Sequence, residues 1–116
     1  MKKQAMNAAK VLVFALSVIA SVPAQAAYLD LNVGIVTHIY TYATFGDGDV
    51  GFRVQNPPAT CVGFWFRMTD PGGKAVFAQI LAAQQTQQPL RIGAYDDQLW
   101  TGSGDRWCRI ASVGNP

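Results

Sequence analysis

The sequence predicts a small, mainly β domain of five strands with one helix between the third and fourth. Three observations carry that expectation. β-branched and aromatic residues alternate in short runs, and turn residues separate the runs. Only one stretch, after Asp70 and before Pro89, repeats its apolar residues at helical spacing. Two cysteines, Cys61 and Cys108, stand in runs that read as the third and fifth strands.

The first run, Val33 to Ala43, places Val33, Ile35, Thr37, Ile39, Thr41 and Ala43 on one side and Gly34, Val36, His38, Tyr40 and Tyr42 on the other. Gly46-Asp47-Gly48-Asp49 reads as a turn. In the second strand Val50, Phe52 and Val54 alternate with Gly51, Arg53 and Gln55, and Asn56-Pro57-Pro58 ends it, because proline cannot donate to a ladder. The third strand runs from Thr60 to Met68. Val62, Phe64, Phe66 and Met68 share one face, and Cys61, Gly63, Trp65 and Arg67 share the other. Aromatic residues on both faces predict a strand covered on both sides. In the helix, Asp70 is placed to cap the first turn, Pro71 suits the first position, and Val76, Phe77, Ile80 and Leu81 form the apolar stripe. It fades near Gln85, before Pro89. The fourth strand is Leu90 to Tyr95, a loop holding Trp100 follows, and the fifth strand is Trp107 to Val113.

This order matches a five-stranded Greek-key barrel of the OB type. An open α+β sheet with one packed helix is the alternative. In such a barrel the third and fifth strands are parallel neighbours, so their starts come together and a Cys61–Cys108 disulfide is geometrically reasonable.

The N-terminus reads as an export signal. Lys2, Lys3 and Lys10 form a basic start, Val11 to Val22 is uncharged and apolar, and Ala24-Gln25-Ala26 is a cleavage signal. Residues 1–26 are thus expected to be removed, leaving 27–116 as a single domain in the periplasm or the medium, with no membrane span after cleavage. Three of the nine basic residues leave with the signal, so six remain against seven aspartates. That balance gives no footprint for nucleic acid or an anionic membrane.

The chemistry of the chain is sparse. His38 is its one histidine and sits mid-strand, so a hydrolytic triad has no obvious base. No glutamate is present after the signal, and the aspartates cluster in turns. Asp47-Gly48-Asp49 lacks the further ligands of a calcium loop. No metal, no cofactor and no enzymatic activity are expected, which leaves recognition. Two regions stand out. The loop before the fifth strand supplies Tyr95, Asp96, Asp97 and Trp100, an aromatic plane beside carboxylates that suits a sugar ring; Trp100 could instead fold back to plug the barrel end. The helix carries Ala75, Ala78 and Ala82 on an uncharged face, which fits either close approach of another subunit or simple exposure. Trp65 and the stripe His38, Tyr40 and Tyr42 lie opposite the expected core faces and are candidate interface residues.

The Gly34-Ile35-Val36 strand, the glutamine-rich helix end and the run Thr86-Gln87-Gln88-Pro89-Leu90-Arg91-Ile92 resemble the B subunits of pentameric bacterial toxins, the subtilase-cytotoxin type above all. The resemblance implies an OB-fold homo-oligomer, a pentamer, that binds a cell-surface glycan or glycoprotein and has a catalytic toxin chain as partner. In those relatives a serine before the first-strand glycine contacts sialic acid; Val33 stands there in this chain, and Asp30 lies near the position of their acidic partner. The alternative function is a periplasmic or secreted structural or inhibitory protein with an OB-like fold and no glycan binding.

Overall fold

β-Branched and aromatic side chains build a 14-residue first strand, β1 (Tyr28–Thr41), longer than the alternation alone suggests. The computed structural model describes residues 27–116; residues 1–26, where the sequence leads one to expect an export signal, and the side chains of Asn32 and Val33 lie outside the described residues. The remaining elements are β2 (Asp49–Val54), β3 (Gly63–Arg67), α1 (Gly73–Thr86), β4 (Pro89–Leu99) and β5 (Trp107–Gly114). The domain is mainly β with one helix. Its strands follow the closed order β1-β2-β3-β5-β4, with β4 returning to β1, so the sheet is not an open one.

The first strand closes this ring by serving two partners. Its first half pairs with β4 and its second half with β2. Register shifts between Asn32 and Ile35 and between Val36 and His38 separate the halves. Each inserted residue swaps the inward and outward faces. Leu29 and Leu31 therefore pack on the core, Val36 is fully buried, and Ile39 faces in again. The single-face expectation for Val33 through Ala43 fails for this reason. At the crossing the chains approach closely: a Cβ on Gly34 would lie 2.8 Å from the Gln55 carbonyl oxygen.

The barrel core is Val36, Val50, Phe52, Val54, Phe64, Phe66, Leu90, Ile92, Ala94 and Ile110, closed at one end by Ile80 and Ala83 of the helix. Cys61 and Cys108 are bonded within it, with Cα atoms 5.5 Å apart. The parallel register of β3 and β5, Phe64 against Cys108, brings them together as the sequence suggests. Cys61 precedes β3 rather than lying in it, because its amide donates to Pro58 O in a turn. Phe64 and Phe66 point to the core while Trp65 is only 5% exposed on the opposite face, so β3 is covered on both sides as expected.

The helix begins later than its sequence signals indicate. Gly72 occupies the N-cap and no side chain caps it. The Asp70 carboxylate is engaged elsewhere, accepting from the Arg67 amide at 3.0 Å and from Arg109 Nη2 at 2.6 Å. The C-terminus follows a left-handed cap at Gln87 (φ 53°), with the Gln88 amide donating to Ala83 O, before Pro89 starts β4. Leu81 is 40% exposed and does not belong to the buried stripe; Ile80 and Ala83 do. β4 continues to Leu99 instead of stopping at Tyr95. The Asp96 amide donates to Ala27 O, and Trp65 Nε1 donates to Gln98 O, which holds the extended chain.

Candidate functional site

The outer face of β1, β2, β3 and β5 carries a second apolar cluster, separate from the barrel core. Trp65, Trp100 and Trp107 form it, each 5% exposed, with Val62 packed alongside. Glycines make room for it. Trp107 lies over β2 and β3, where a Cβ on Gly51 would come within 3.0 Å of its ring and one on Gly63 within 2.5 Å. Two guanidinium groups flank Trp65, Arg67 at 5.4 Å and Arg109 at 4.7 Å from its centroid, and Arg53 lies 5.2 Å over Trp107. Such contacts attract the guanidinium groups to the ring faces and pack the arginine stems along apolar surface.

The β1–β2 hairpin is fastened to this cluster by a buried carboxylate. Asp49, 2% exposed, accepts from Trp100 Nε1 at 2.9 Å and from the Asp47 amide at 3.3 Å, and lies 3.6 Å from Arg67 Nε. Gly46 and Gly48 take left-handed conformations (φ 60° and 72°), which lets the turn fold over that carboxylate. The described buried side-chain polar atoms without a hydrogen-bond partner, Arg67 Nε and Trp107 Nε1, both belong to this outer cluster.

Exposed aromatic residues tile its rim. Tyr40, Tyr42 and Phe45 are 38%, 39% and 41% exposed. Tyr42 and Phe45 pack on Trp100 at 5.4 and 5.9 Å, Tyr40 meets the edge of Trp107 at 6.3 Å, and His38 stacks on Tyr40 at 6.1 Å with the planes 5° apart. Beside Tyr42 a cleft of about 350 Å³ opens between the hairpin and the helix, lined by Thr41, Tyr42, Ala43, Gly48, Val50, Met68 and Phe77, none of them charged. A buried tryptophan floor with an exposed aromatic rim presents rigid, flat apolar faces to solvent.

The residues picked out in the sequence do not form one site. Asp30 is on the first half of β1, in a two-bond pair with Arg91 of β4 (Nε to Oδ1 3.0 Å, Nη2 to Oδ2 2.6 Å). Those hydrogen bonds, opposed by desolvation and aided by the arginine charge, hold its carboxyl below the ordinary aspartate value. Tyr95 is half-buried and packs edge-on against Tyr28 at 5.7 Å. Asp96 is half-buried with its carbonyl bound by Arg106, and Asp97 is exposed. Trp100 is buried and hydrogen-bonded in the outer tryptophan cluster, so it neither offers an open ring face to a ligand nor plugs the barrel end. Trp65 is likewise covered and unavailable to a partner. His38, Tyr40 and Tyr42 are exposed and contiguous. Ala75, Ala78 and Ala82 are exposed on the helix, and Ala82 borders a second cleft of about 280 Å³ beside Pro89. Sequence reasoning missed Phe45, Arg53 and Asp49. Arg53 falls on the polar face of β2, opposite its core residues, and that alternation was the available signal.

Among the described residues no group of three or more histidine, cysteine, aspartate or glutamate side chains is placed to hold a metal ion, and no helix is long and apolar enough to cross a membrane. No family model, curated protein or solved structure matches the chain.

Proposed function

We propose that this protein is an exported, non-enzymatic recognition module of the OB type, which binds a cell-surface glycan or receptor through the outer aromatic face and works as a homo-oligomer. The observation that carries the reading is the exposed rim of Tyr40, Tyr42 and Phe45 on a buried tryptophan floor. Flat aromatic faces bind sugars by stacking on their C–H surfaces, and they are held here at little entropic cost. The ring order β1-β2-β3-β5-β4 with parallel β3 and β5 supports the OB assignment, and in that fold the β2–β3 face with the adjoining loops is where ligands bind. The internal disulfide supports export to an oxidising compartment. The resemblance to toxin B subunits supports a pentamer and a catalytic partner chain.

A single aromatic site is weak, so useful affinity needs several copies in one assembly. The uncharged helix face of Ala75, Ala78 and Ala82 is the proposed surface for that assembly. A glycan array probed with the purified protein, with its mass measured by light scattering, tests both parts. Binding by an oligomer is the expected outcome. A monomer that binds no glycan would favour the structural or inhibitory alternative.

A further inference from the structure

The cleft between the β1–β2 hairpin and the helix holds Met68, the one methionine of residues 27–116. Met68 directly follows β3. It is half-buried and packs on the barrel core, as does Phe77 of α1, which lines the same cleft. Its stem lies against the hairpin turn: a Cβ on Gly48 would stand 3.4 Å from Met68 Cβ and 3.7 Å from Met68 Cγ. The Met68 amide donates to Gly48 O at 3.0 Å, so backbone and side chain both tie the turn to this point. The turn is coupled to the aromatic rim, because the Asp49 amide donates to Phe45 O at 3.2 Å and the Tyr42 amide donates to Asp49 O at 3.0 Å. The hairpin is thus held on its outer face by Asp49 and Trp100 and on its cleft side by Met68.

A thioether is the most readily oxidised group this domain offers. Cys61 and Cys108 are bonded to each other, so among the described residues no thiol competes for an oxidant. That bond also fits an oxidising compartment, where peroxides are met. The cleft opens to solvent, so a molecule as small as hydrogen peroxide reaches its lining. The sulfur lone pair attacks one peroxide oxygen. An S–O bond forms as the O–O bond breaks, the sulfur loses two electrons, and the departing hydroxide takes the proton left on the transferred oxygen and leaves as water. The product, methionine sulfoxide, is polar where the thioether was apolar. Among the side chains lining the cleft only Thr41 and Tyr42 carry a hydrogen-bond donor, and the rest are apolar. The S–O dipole is therefore better satisfied by water outside than by the cleft.

We infer that Met68 is a reversible oxidation site, and that its sulfoxide leaves the cleft, releases the hairpin turn from the segment joining β3 to α1, and so displaces Tyr42 and Phe45. The modification acts on the position of the rim and does not depend on what the rim binds. Reduction of the sulfoxide returns the side chain to the cleft and the rim to its place.

The test treats the purified protein with hydrogen peroxide and locates the added oxygen by peptide mass mapping. The reduced and oxidised forms are then compared by NMR and by thermal unfolding, with intact mass showing that the disulfide stays closed. Met68 is expected to gain an oxygen at a rate within about tenfold of free methionine, as a reachable thioether does. The oxidised protein should show shifted Tyr42 and Phe45 ring signals and a Tm lower by about 5 °C, while the signals of the core residues Phe52 and Ile92 stay in place. Methionine sulfoxide reductases acting on the two sulfoxide epimers should restore both readings. Met68→Leu keeps the apolar volume without the oxidisable sulfur, and it should stay folded and show neither change under peroxide. Oxidation about a hundredfold slower than that of free methionine would overturn the inference, since the sulfur would then be out of reach. So would unchanged ring signals in the fully oxidised protein, a change that the reductases do not reverse, or the same peroxide response in Met68→Leu.

Discussion

Replacing Trp100 with alanine is expected to destabilise the fold rather than to remove a ligand contact from an intact barrel. The indole is 5% exposed, packs against Tyr42, Phe45 and Trp107 at 5.4–5.9 Å, and donates to the buried carboxylate of Asp49 at 2.9 Å. Truncating a large buried aromatic costs about 3–5 kcal/mol. Asp49 would also lose a donor while remaining buried, a penalty of about 1–3 kcal/mol that overlaps with the first. We take about 4 kcal/mol for the sum. For a domain of this size each kcal/mol lowers the midpoint by about 4–8 °C, so the expected fall in Tm is on the order of 20 °C. Trp100→Phe separates the contributions: it keeps most of the packing and removes the N–H, for an expected loss of roughly 1–2 kcal/mol. Urea denaturation followed by circular dichroism, with the disulfide intact, measures both. A loss below about 1 kcal/mol in Trp100→Ala would mean that the residue is not a structural pillar, and the open-face reading of Trp100 would return.

Cys61→Ala combined with Cys108→Ala is expected to cost about 4 kcal/mol on the chain-entropy account, from the 47-residue separation of the two cysteines; thiol labelling of the denatured, unreduced native protein should find no free thiol. Ile80→Ala should cost about 2–5 kcal/mol, while Leu81→Ala, 40% exposed, should cost well under half as much, and equal losses would place the buried helix face wrongly. Asp30 has its folded-state pKa lowered by Arg91, so the stability it contributes is present above the ordinary aspartate value and is lost as pH falls through the lowered one. Its side-chain carbon resonance should titrate below a free aspartate, and Arg91→Gln should move it back up.

Where strand register is constant, the faces were legible in the sequence. β2 and the Phe64-Trp65-Phe66 run of β3 alternate as their residues predict, and the doubly covered third strand showed itself through aromatics on both faces. The cysteine pair was legible because a parallel neighbour relation brings strand starts together. β1 was not, since two register shifts swap its faces and no composition signal marks them. The helix start was misplaced because Asp70 has a stronger partner, Arg109, that lies 39 residues away. Trp100 could not be assigned to core or surface from its loop, because its burial depends on Asp49 and on the hairpin residues Tyr42 and Phe45. Phe45 went unnoticed for a related reason: a lone aromatic in a turn has no periodicity, and only the fold puts it beside Tyr42. The proposed site therefore moved from the β4–β5 end to the β1–β2 hairpin and the face next to it.

The central claim is that the rim of Tyr42 and Phe45 is a recognition surface and not only a cover for Trp100. The most direct measurement compares the unmodified protein with Tyr42→Ser/Phe45→Ser on one glycan array, with circular dichroism and light scattering confirming that fold and assembly are unchanged. Because both side chains are about 40% exposed, the variant is expected to stay folded. The account expects the unmodified protein to bind a defined set of glycans and the variant to lose them by an order of magnitude or more, as removal of stacking planes does in repeated sites. Undiminished binding by the folded variant would contradict it.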